Sequence, residues 1–483
     1  MLIKQAVAEA ISSVKKLSAV KEHSNVIEES LDSYLCIGLS GGVDSTVLLH
    51  ATAQYAAAFN RKLKAIHVHH GLSDNADAWA QHAQNLCETL SSEFLITIDC
   101  IIEKVKLDNY SDGTEQAARS ARYQVFEKHC KHNDVLLQGH HLDDQIETFF
   151  MRAIRGSGLT GLASIPKQRN LSRTNTCQIL RPLLSIEKSQ LIEYAKDHQL
   201  HWVEDESNQD STLDRNWWRN ELLPQIWQRY PRHKQSLFRT ISTIQHEQSL
   251  LQQLITNEII TSEVVTKDEF QSSDYKIHSA LKNIPYFDLL LIQEMNQATG
   301  LSYLRAWLAQ HVDILPSAIQ MRTIYVDMIQ AQRDAEPRFI WSSSILYRYK
   351  NRLYLSNAVT FNGSEVTPSK SMARDWQGQD LKCFNGWLIC EDAIADFALK
   401  PGQYLLKNWQ AGDIAKPSGR STRKMKKWWQ DYSVPSWARE HWPIIVNKKT
   451  NEIAAVPGLF VCQGYRVDQG KSGWLVEYKM ELK

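Results

Sequence analysis

The chain has 483 residues, so at roughly 150 residues per domain it should hold about three domains, each able to bury its own core. With 43% apolar and 23% charged residues, Gly 20 and Pro 13, it is neither fibrous nor disordered, and it is too long for a disulfide-stapled module. Lys+Arg 55 against Asp+Glu 54 leave a net charge of +1, so any nucleic-acid contact must come from a local basic patch.

In chain order, MLIKQAVAEAISSVKK has the spacing of an amphipathic helix with Ile3, Ala6, Val7, Ala10, Ile11 and Val14 on one face. Lys4 and Glu9 interrupt it, so it lacks the continuous apolar core of a secretion signal, and the lack of arginine before Arg61 argues against a transit peptide. No run approaches the roughly 18 apolar residues that a membrane span needs, so a cytoplasmic protein without membrane association is expected. From about 34 to 184, the strand-like runs YLCIGLS, KAIHVHH, EFLITID, DVLLQGHH and QILRPLL alternate with segments of helix length. This predicts an α/β fold, a parallel sheet with helices on both faces. From about 235 to 335 the pattern becomes helical, 336–395 returns to short strand-like runs, and the end reads as a small α+β domain. The eight cysteines form no C-x-x-C pair, which leaves neither a zinc knuckle nor a dithiol redox motif.

Ser40-Gly41-Gly42-Val43-Asp44-Ser45 follows the apolar run Leu35 to Leu39 and opens a helical one, the order an anion site requires. Two glycines let the backbone approach a phosphate, the helix N-terminus offers unpaired N–H groups, and Ser40 and Ser45 add hydroxyl donors. Asp44 would repel a bare phosphate and makes sense as a ligand of Mg²⁺ held against it. The plain alternative is a serine-capped helix after a tight turn. A second glycine pair, Gly464 with Gly470-Lys471-Ser472, has one residue too many for a Walker A loop and is followed by a strand-like run, so it reads as a turn.

Gly139-His140-His141-Leu142-Asp143-Asp144-Gln145-Ile146-Glu147 again closes an apolar run and opens a helix. There Asp143 and Asp144 lie four and three residues before Glu147 and can share a face. Like charges so placed persist more readily where a cation offsets them, either Mg²⁺ with ATP or an amino group of a substrate; an acidic first turn favoured by the helix dipole, with two histidines in ordinary polar contacts, is the plain alternative. Arg119 and Arg122 in EQAARSARY, and Arg152 and Arg155 beyond the acidic cluster, are candidates to neutralise a transferred phosphate. Ion pairs with Glu115 or Glu147 are the plain alternative.

SGGVDS, HHGLS at 69–73, EQAARSARY, GHHLDDQIETFFMRAIRGSGLTGL, LRPLL and WVEDESNQDSTLDRNWWRNELLP together resemble the tRNA(Ile)-lysidine synthetase family of the PP-loop ATP pyrophosphatase superfamily. GRSTRKMKKWWQDYSVPSWARE and AAVPGLFV resemble that family's C-terminal domain. The resemblance implies a PP-loop catalytic domain at 1–229, a helical substrate-binding domain at 235–335, a linker region with short strands at 336–395, and a C-terminal tRNA-binding domain at 396–483. It also implies ATP and Mg²⁺, the CAU-anticodon tRNA(Ile) and free L-lysine as ligands, with a homodimer left open. Adenylation of the wobble cytidine at its C2 oxygen would release pyrophosphate, and the ε-amine of lysine would then displace AMP. Residues 40 to 45 would hold ATP and Asp44 the metal. Asp143, Asp144 and Glu147 would bind lysine or take its proton, without a firm division of roles, and Arg215 matches a family arginine that holds a carboxylate or phosphate.

From 416 to 442, Lys416, Arg420, Arg423, Lys424, Lys426, Lys427 and Arg439 stand against Asp431 and Glu440, interleaved with Trp428, Trp429, Trp437 and Trp442. The cations suit tRNA phosphates, with Arg420, Arg423, Lys424, Lys426 and Lys427 the chosen contacts, whereas the tryptophans read better as core. Rival readings are a PP-loop tRNA thiolase, disfavoured by the cysteine pattern, a glutamine-dependent amide synthase, disfavoured by Leu2, and a non-catalytic tRNA-binding protein.

Overall fold

The structure is a computed structural model, and it describes residues 1–483 other than 22–32, 72, 106–113, 173–174, 211, 213, 269–280, 282–283, 333–334, 358–373, 384–385, 396 and 481–483. Leu72 of the HHGLS motif, Ser211 and Leu213 of the 202–224 segment, part of 336–395 and the side chain of Glu115 therefore lie outside the described residues. Two compact units form, Met1–Leu251 and Gln252–Lys483.

In the first unit, strands β1 (Tyr34–Gly38), β2 (Lys62–His69), β3 (Ile98–Lys104), β4 (Val135–Leu137), β5 (Gln168–Asn170) and β6 (Gln178–Leu180) pair in the order β3-β2-β1-β4-β6-β5. All pairs are parallel except that β5 runs antiparallel to β6, an edge the sequence patterning did not predict. Strand periodicity divides the core in two. Leu35, Ile37, Leu63, Ala65, Val135, Leu137 and Leu180 face one cluster, while Cys36, Ile66, Leu136 and Ile179 face the other. The first cluster takes α1 (Leu2–Lys21), α2 (Val43–Ala58), α3 (Ala76–Phe94) and, past the sheet's last strand, residues 188–197. The second takes Val125 and Phe126 of α4 (Thr114–His129). Helices thus cover both faces, as the unbroken apolar run of the central strand β1 requires. The predicted stripe of α1 is used, with Ile3, Val7, Ala10 and Ile11 buried.

The sheet grows outward from β1 through β2 to β3, then the chain crosses back to place β4 on the other side of β1. The crevice outside the carboxyl ends of β1 and β4 is therefore the switch point at which open α/β sheets take their ligands. Helix α5 (Leu142–Ile154) leaves β4 there. The single turn α6 (Leu159–Leu162), α7 (Lys188–Asp197), α8 (Asp214–Trp217), a π-turn (Trp218–Leu222), α9 (Leu223–Arg229) and the long α10 (Lys234–Asp268) follow.

In the second unit, Tyr286–Asp288 pairs with Arg352–Asn357, which pairs with Ser344–Tyr349 and then Arg338–Trp341, all antiparallel. Phe287, Trp341, Leu346 and Leu353 of this sheet share a core with Leu304, Trp307 and Ile324 from the helices Gln297–His311 and Ala318–Ile324. The span 235–335, expected to be mostly α, thus contributes a strand to a mixed layer. Arg374–Trp376 instead pairs with Tyr404–Asn408, and Leu381–Cys383 and Gly386–Ala393 join Gly473–Met480. The stretch 336–395, read as a linker region, divides its described strands between separate antiparallel sheets, a partition set by partners more than 80 residues away in the case of Gly386↔Met480. No helix among the described residues is long and apolar enough to cross a membrane.

Candidate active site

The glycine turn is shaped by backbone demands. Gly41 sits at φ +91, a conformation that L side chains rarely adopt, and a Cβ there would come within 2.9 Å of Val203 Cγ2. The Gly41 carbonyl also accepts from Val203 N at 3.0 Å, so the 202–224 segment buttresses the loop. Ser45 Oγ accepts from the N–H groups of Ser40 and Gly41, each at 3.2 Å, and donates to the Gly42 carbonyl at 3.0 Å. Its hydroxyl therefore braces the turn, where the sequence suggested a phosphate donor. Helix α2 starts after Gly42 with no side-chain cap, in contrast to the serine-capped alternative.

Gly139, at the end of β4, brings the second motif against this loop. A Cβ there would meet Asp44 C at 3.1 Å, Asp44 O at 3.2 Å and Ser45 N at 3.3 Å, all backbone atoms and all closer than an ordinary van der Waals contact. The first turns of α2 and α5 consequently face each other around His141. Its Nε2 lies 3.7 Å from Asp44 Oδ2 and 3.6 Å from Asp144 Oδ2, and its Nδ1 lies 3.6 Å from Asp143 Oδ2.

The sequence called for a cation over these acids and looked to Mg²⁺ or a substrate amine, but the protein supplies its own. Lys188 Nζ binds both oxygens of Asp44 at 2.7 and 2.8 Å. Asp143 accepts from Lys188 N and from Lys234 Nζ, both at 2.9 Å. Arg215 donates to Asp144 at 2.9 Å and to Glu147 at 2.8 Å. Arg219 donates to Glu147 at 2.7 and 2.9 Å and to Asp144 at 3.2 Å. Glu147 is 1% exposed, and a carboxylate so buried persists only with such bidentate partners.

Electrostatics follow from this arrangement. Burial alone would raise Asp143 and Asp144, yet the surrounding imidazole, ammonium and guanidinium groups hold both well below the usual carboxylate range. Burial would depress His141, but Asp144, Asp143 and Asp44 outweigh it and raise its pKa. His140, one residue away, is pushed down to about 3 by burial and by Arg181, Arg215 and Arg119, against the pull of Asp144.

The other arginines are used locally. Arg152 Nη1 donates to the carbonyls of Gly161 and Ser164, and Arg155 pairs with Asp214 at 3.1 Å. Neither meets Glu147, the partner considered from sequence. The Arg119 and Arg169 guanidiniums flank the Tyr123 ring at 5.2 and 4.9 Å, and despite burial they lower its phenol to about 8. Arg122 adds to the burial that depresses His70 to about 4. Sequence reasoning missed Lys188, Lys234 and Arg219. Arg219 had a signal, since it stands four residues from Arg215 on a helical path and so reaches the same carboxylate. The two lysines had none, because their partners are 144 and 91 residues away.

In the second unit, Trp428, Trp429 and Trp442 are fully buried and Trp437 stacks on Tyr347, so these tryptophans are core. Arg420 lies over Trp428 and Tyr432, Arg423 pairs with Asp431, and Lys424, Lys426 and Lys427 project outward. Gly464 and Gly470 both take positive φ and precede the strand Gly473–Met480, confirming a turn.

A glycine-turned, uncapped helix start at the switch point of a parallel sheet defines an ATP-binding PP-loop enzyme, and the PP-loop domain family matches residues 15–226. The TilS substrate binding domain matches 294–354 and the TilS substrate C-terminal domain 405–478. The chain is 33% identical over 470 residues to a tRNA(Ile)-lysidine synthase of Vibrio atlanticus (strain LGP32), covering 94% of this chain and 99% of the relative. It is 34% identical over 448 residues to that of Haemophilus influenzae (strain 86-028NP), covering 88% and 94%, and 32% identical over 458 residues to that of Enterobacter sp. (strain 638), covering 94% and 97%. The chain belongs to the tRNA(Ile)-lysidine synthase family.

The depressed His140 sets a pH dependence of stability. Unfolded, it takes up a proton near its ordinary value of 6.5, whereas folded it resists until about 3, so folded stability falls as pH drops through that window. His140→Gln should flatten this part of the curve, read from urea-unfolding midpoints as pH is lowered from 6.5 toward 3.

Proposed function

We propose that this enzyme joins free L-lysine to C2 of the wobble cytidine of CAU-anticodon tRNA(Ile), using ATP and releasing AMP and pyrophosphate. The observation that carries the reading is the placement of an uncapped PP-loop helix, bearing Asp44, directly against the three carboxylates of α5, through the backbone contact at Gly139. In the first step the cytidine C2 oxygen attacks the α-phosphate, and the bond to pyrophosphate breaks. The α2 N-terminus and the backbone of Ser40, Gly41, Gly42, Val43, Asp44 and Ser45 hold the departing phosphates. In the second step the ε-amine attacks C2, the C2–O bond breaks with AMP as leaving group, and one amine proton passes to a carboxylate.

Asp143 fits the ammonium-binding role best. It is 20% exposed, whereas Asp144 and Glu147 are committed to Arg215 and Arg219. Arg215 then acts as a positioning residue that fixes this wall. Mg²⁺ fits only as a companion of the nucleotide: among the described residues no group of three His, Cys, Asp or Glu side chains could hold a metal, so Asp44 would share the ion with the triphosphate. Bound there, Mg²⁺ supplies electrostatic stabilisation of the leaving pyrophosphate. Against the thiolase alternative stands the placement of the described cysteines, Cys36, Cys87, Cys130, Cys177 and Cys462 being buried and Cys100 and Cys390 half-buried. Arg420, Arg423, Lys424, Lys426 and Lys427 are assigned to tRNA phosphates on the second unit.

Mass spectrometry of nucleosides from CAU-anticodon tRNA(Ile) incubated with ATP, lysine and the enzyme should show lysidine, and its absence would reject the reading. Asp44→Asn should abolish pyrophosphate release while tRNA binding stays nearly intact. Glutamate at Lys424, Lys426 and Lys427 together should weaken tRNA binding and lower the slope of log affinity against log salt, by about 0.7–0.9 for each phosphate that is no longer neutralised.

A further inference from the structure

We infer that Lys234 is a resident occupant of the ammonium position on Asp143, which free lysine must displace in order to bind. The inference rests on the assignment of Asp143 to substrate lysine. Lys234 opens α10, whose first turn carries no acid, so its charge stands at the positive end of a helix dipole, an unfavourable place for a cation. What holds it there is Asp143 Oδ1 at 2.9 Å, with the face of Trp227 at 5.6 Å from the ammonium. A carboxylate beside an aromatic face is a general receptor for an alkylammonium, and the group that fills it is chemically identical to the side chain of the proposed substrate.

Two features make this occupancy exchangeable. Lys234 and Asp143 are 25% and 20% exposed, unlike the sealed contacts of Glu147, so water and solutes reach the pair. Asp143 Oδ2 is already tied to Lys188 N, so Oδ1 is the oxygen on which Lys234 and an incoming ammonium would compete. Beside them, His141 Nδ1 faces Asp143 Oδ2 at 3.6 Å, which engages that oxygen further and leaves Oδ1 as the exchangeable one. Apparent affinity for a ligand is reduced by the fraction of molecules in which its site is open, so Lys234 raises the concentration of lysine needed for turnover.

The test is the lysine KM of full-length Lys234→Met, which keeps the aliphatic stem over Trp227 and removes the charge. It should fall roughly three- to tenfold, and lysine binding measured by calorimetry should tighten by the same factor. Lys234→Arg, whose planar fork grips a carboxylate more firmly, should raise the KM. A merely structural role would lower kcat by loss of folded enzyme and leave KM in place. A Lys234→Met enzyme that makes lysidine with an unchanged or higher lysine KM would overturn the inference while leaving the proposed function standing. Failure of the wild-type enzyme to make lysidine would overturn both.

Discussion

The catalytic unit depends on one electrostatic constraint: four carboxylates gathered at the carboxyl ends of β1 and β4 must be neutralised within the protein. Asp44, Asp143, Asp144 and Glu147 belong to α2 and α5, while Lys188, Arg215, Arg219 and Lys234 come from α7, α8, the π-turn and α10. Each pairing joins segments far apart in sequence, so neutralising the site also fastens the later helices onto the sheet. An unpaired carboxylate as buried as Glu147 would cost several kcal/mol, which explains why that acid receives two guanidiniums.

The same constraint divides the wall by the kind of cation that meets it. Asp144 and Glu147 face multidentate arginines and form a fixed support, whereas Asp44 and Asp143 face lysines, compact cations on flexible stems. Those two carboxylates are also the ones beside the glycine turn and the solvent. His141 lies among Asp44, Asp143 and Asp144, and its raised pKa reports the negative potential that remains there despite burial. One half of the wall is thus held by multidentate guanidinium contacts and the other by single ammonium groups that reach water.

Much of the fold is legible in residue patterns. Strand runs such as Leu35 to Leu39 are apolar at every position, which signals burial on both faces, and the stripe of α1 packs as its spacing indicates. The antiparallel edge β5, only three residues long, carries too little periodicity to be seen. The 336–395 stretch reads as a linker region with short strands; its local pair, Ser344–Tyr349 with Arg352–Asn357, lies close in sequence, while its later strands take partners at 404–408 and 473–480 that local patterning does not reveal. The acidic cluster is visible along the chain, but its countercharges are sought in ligands because nothing in a linear reading connects Asp44 to Lys188.

Sequence alone determined the features that depend on neighbours along the chain. These are the left-handed turn that only glycine tolerates comfortably at Gly41 and the helix starts that follow β1 and β4. Tertiary structure decided which cation meets which carboxylate, which serine hydroxyl is spent on the turn, and which tryptophans are core. Those outcomes rest on contacts between segments tens to hundreds of residues apart, where distance in space, which sets Coulomb energy and burial, bears no relation to distance along the chain.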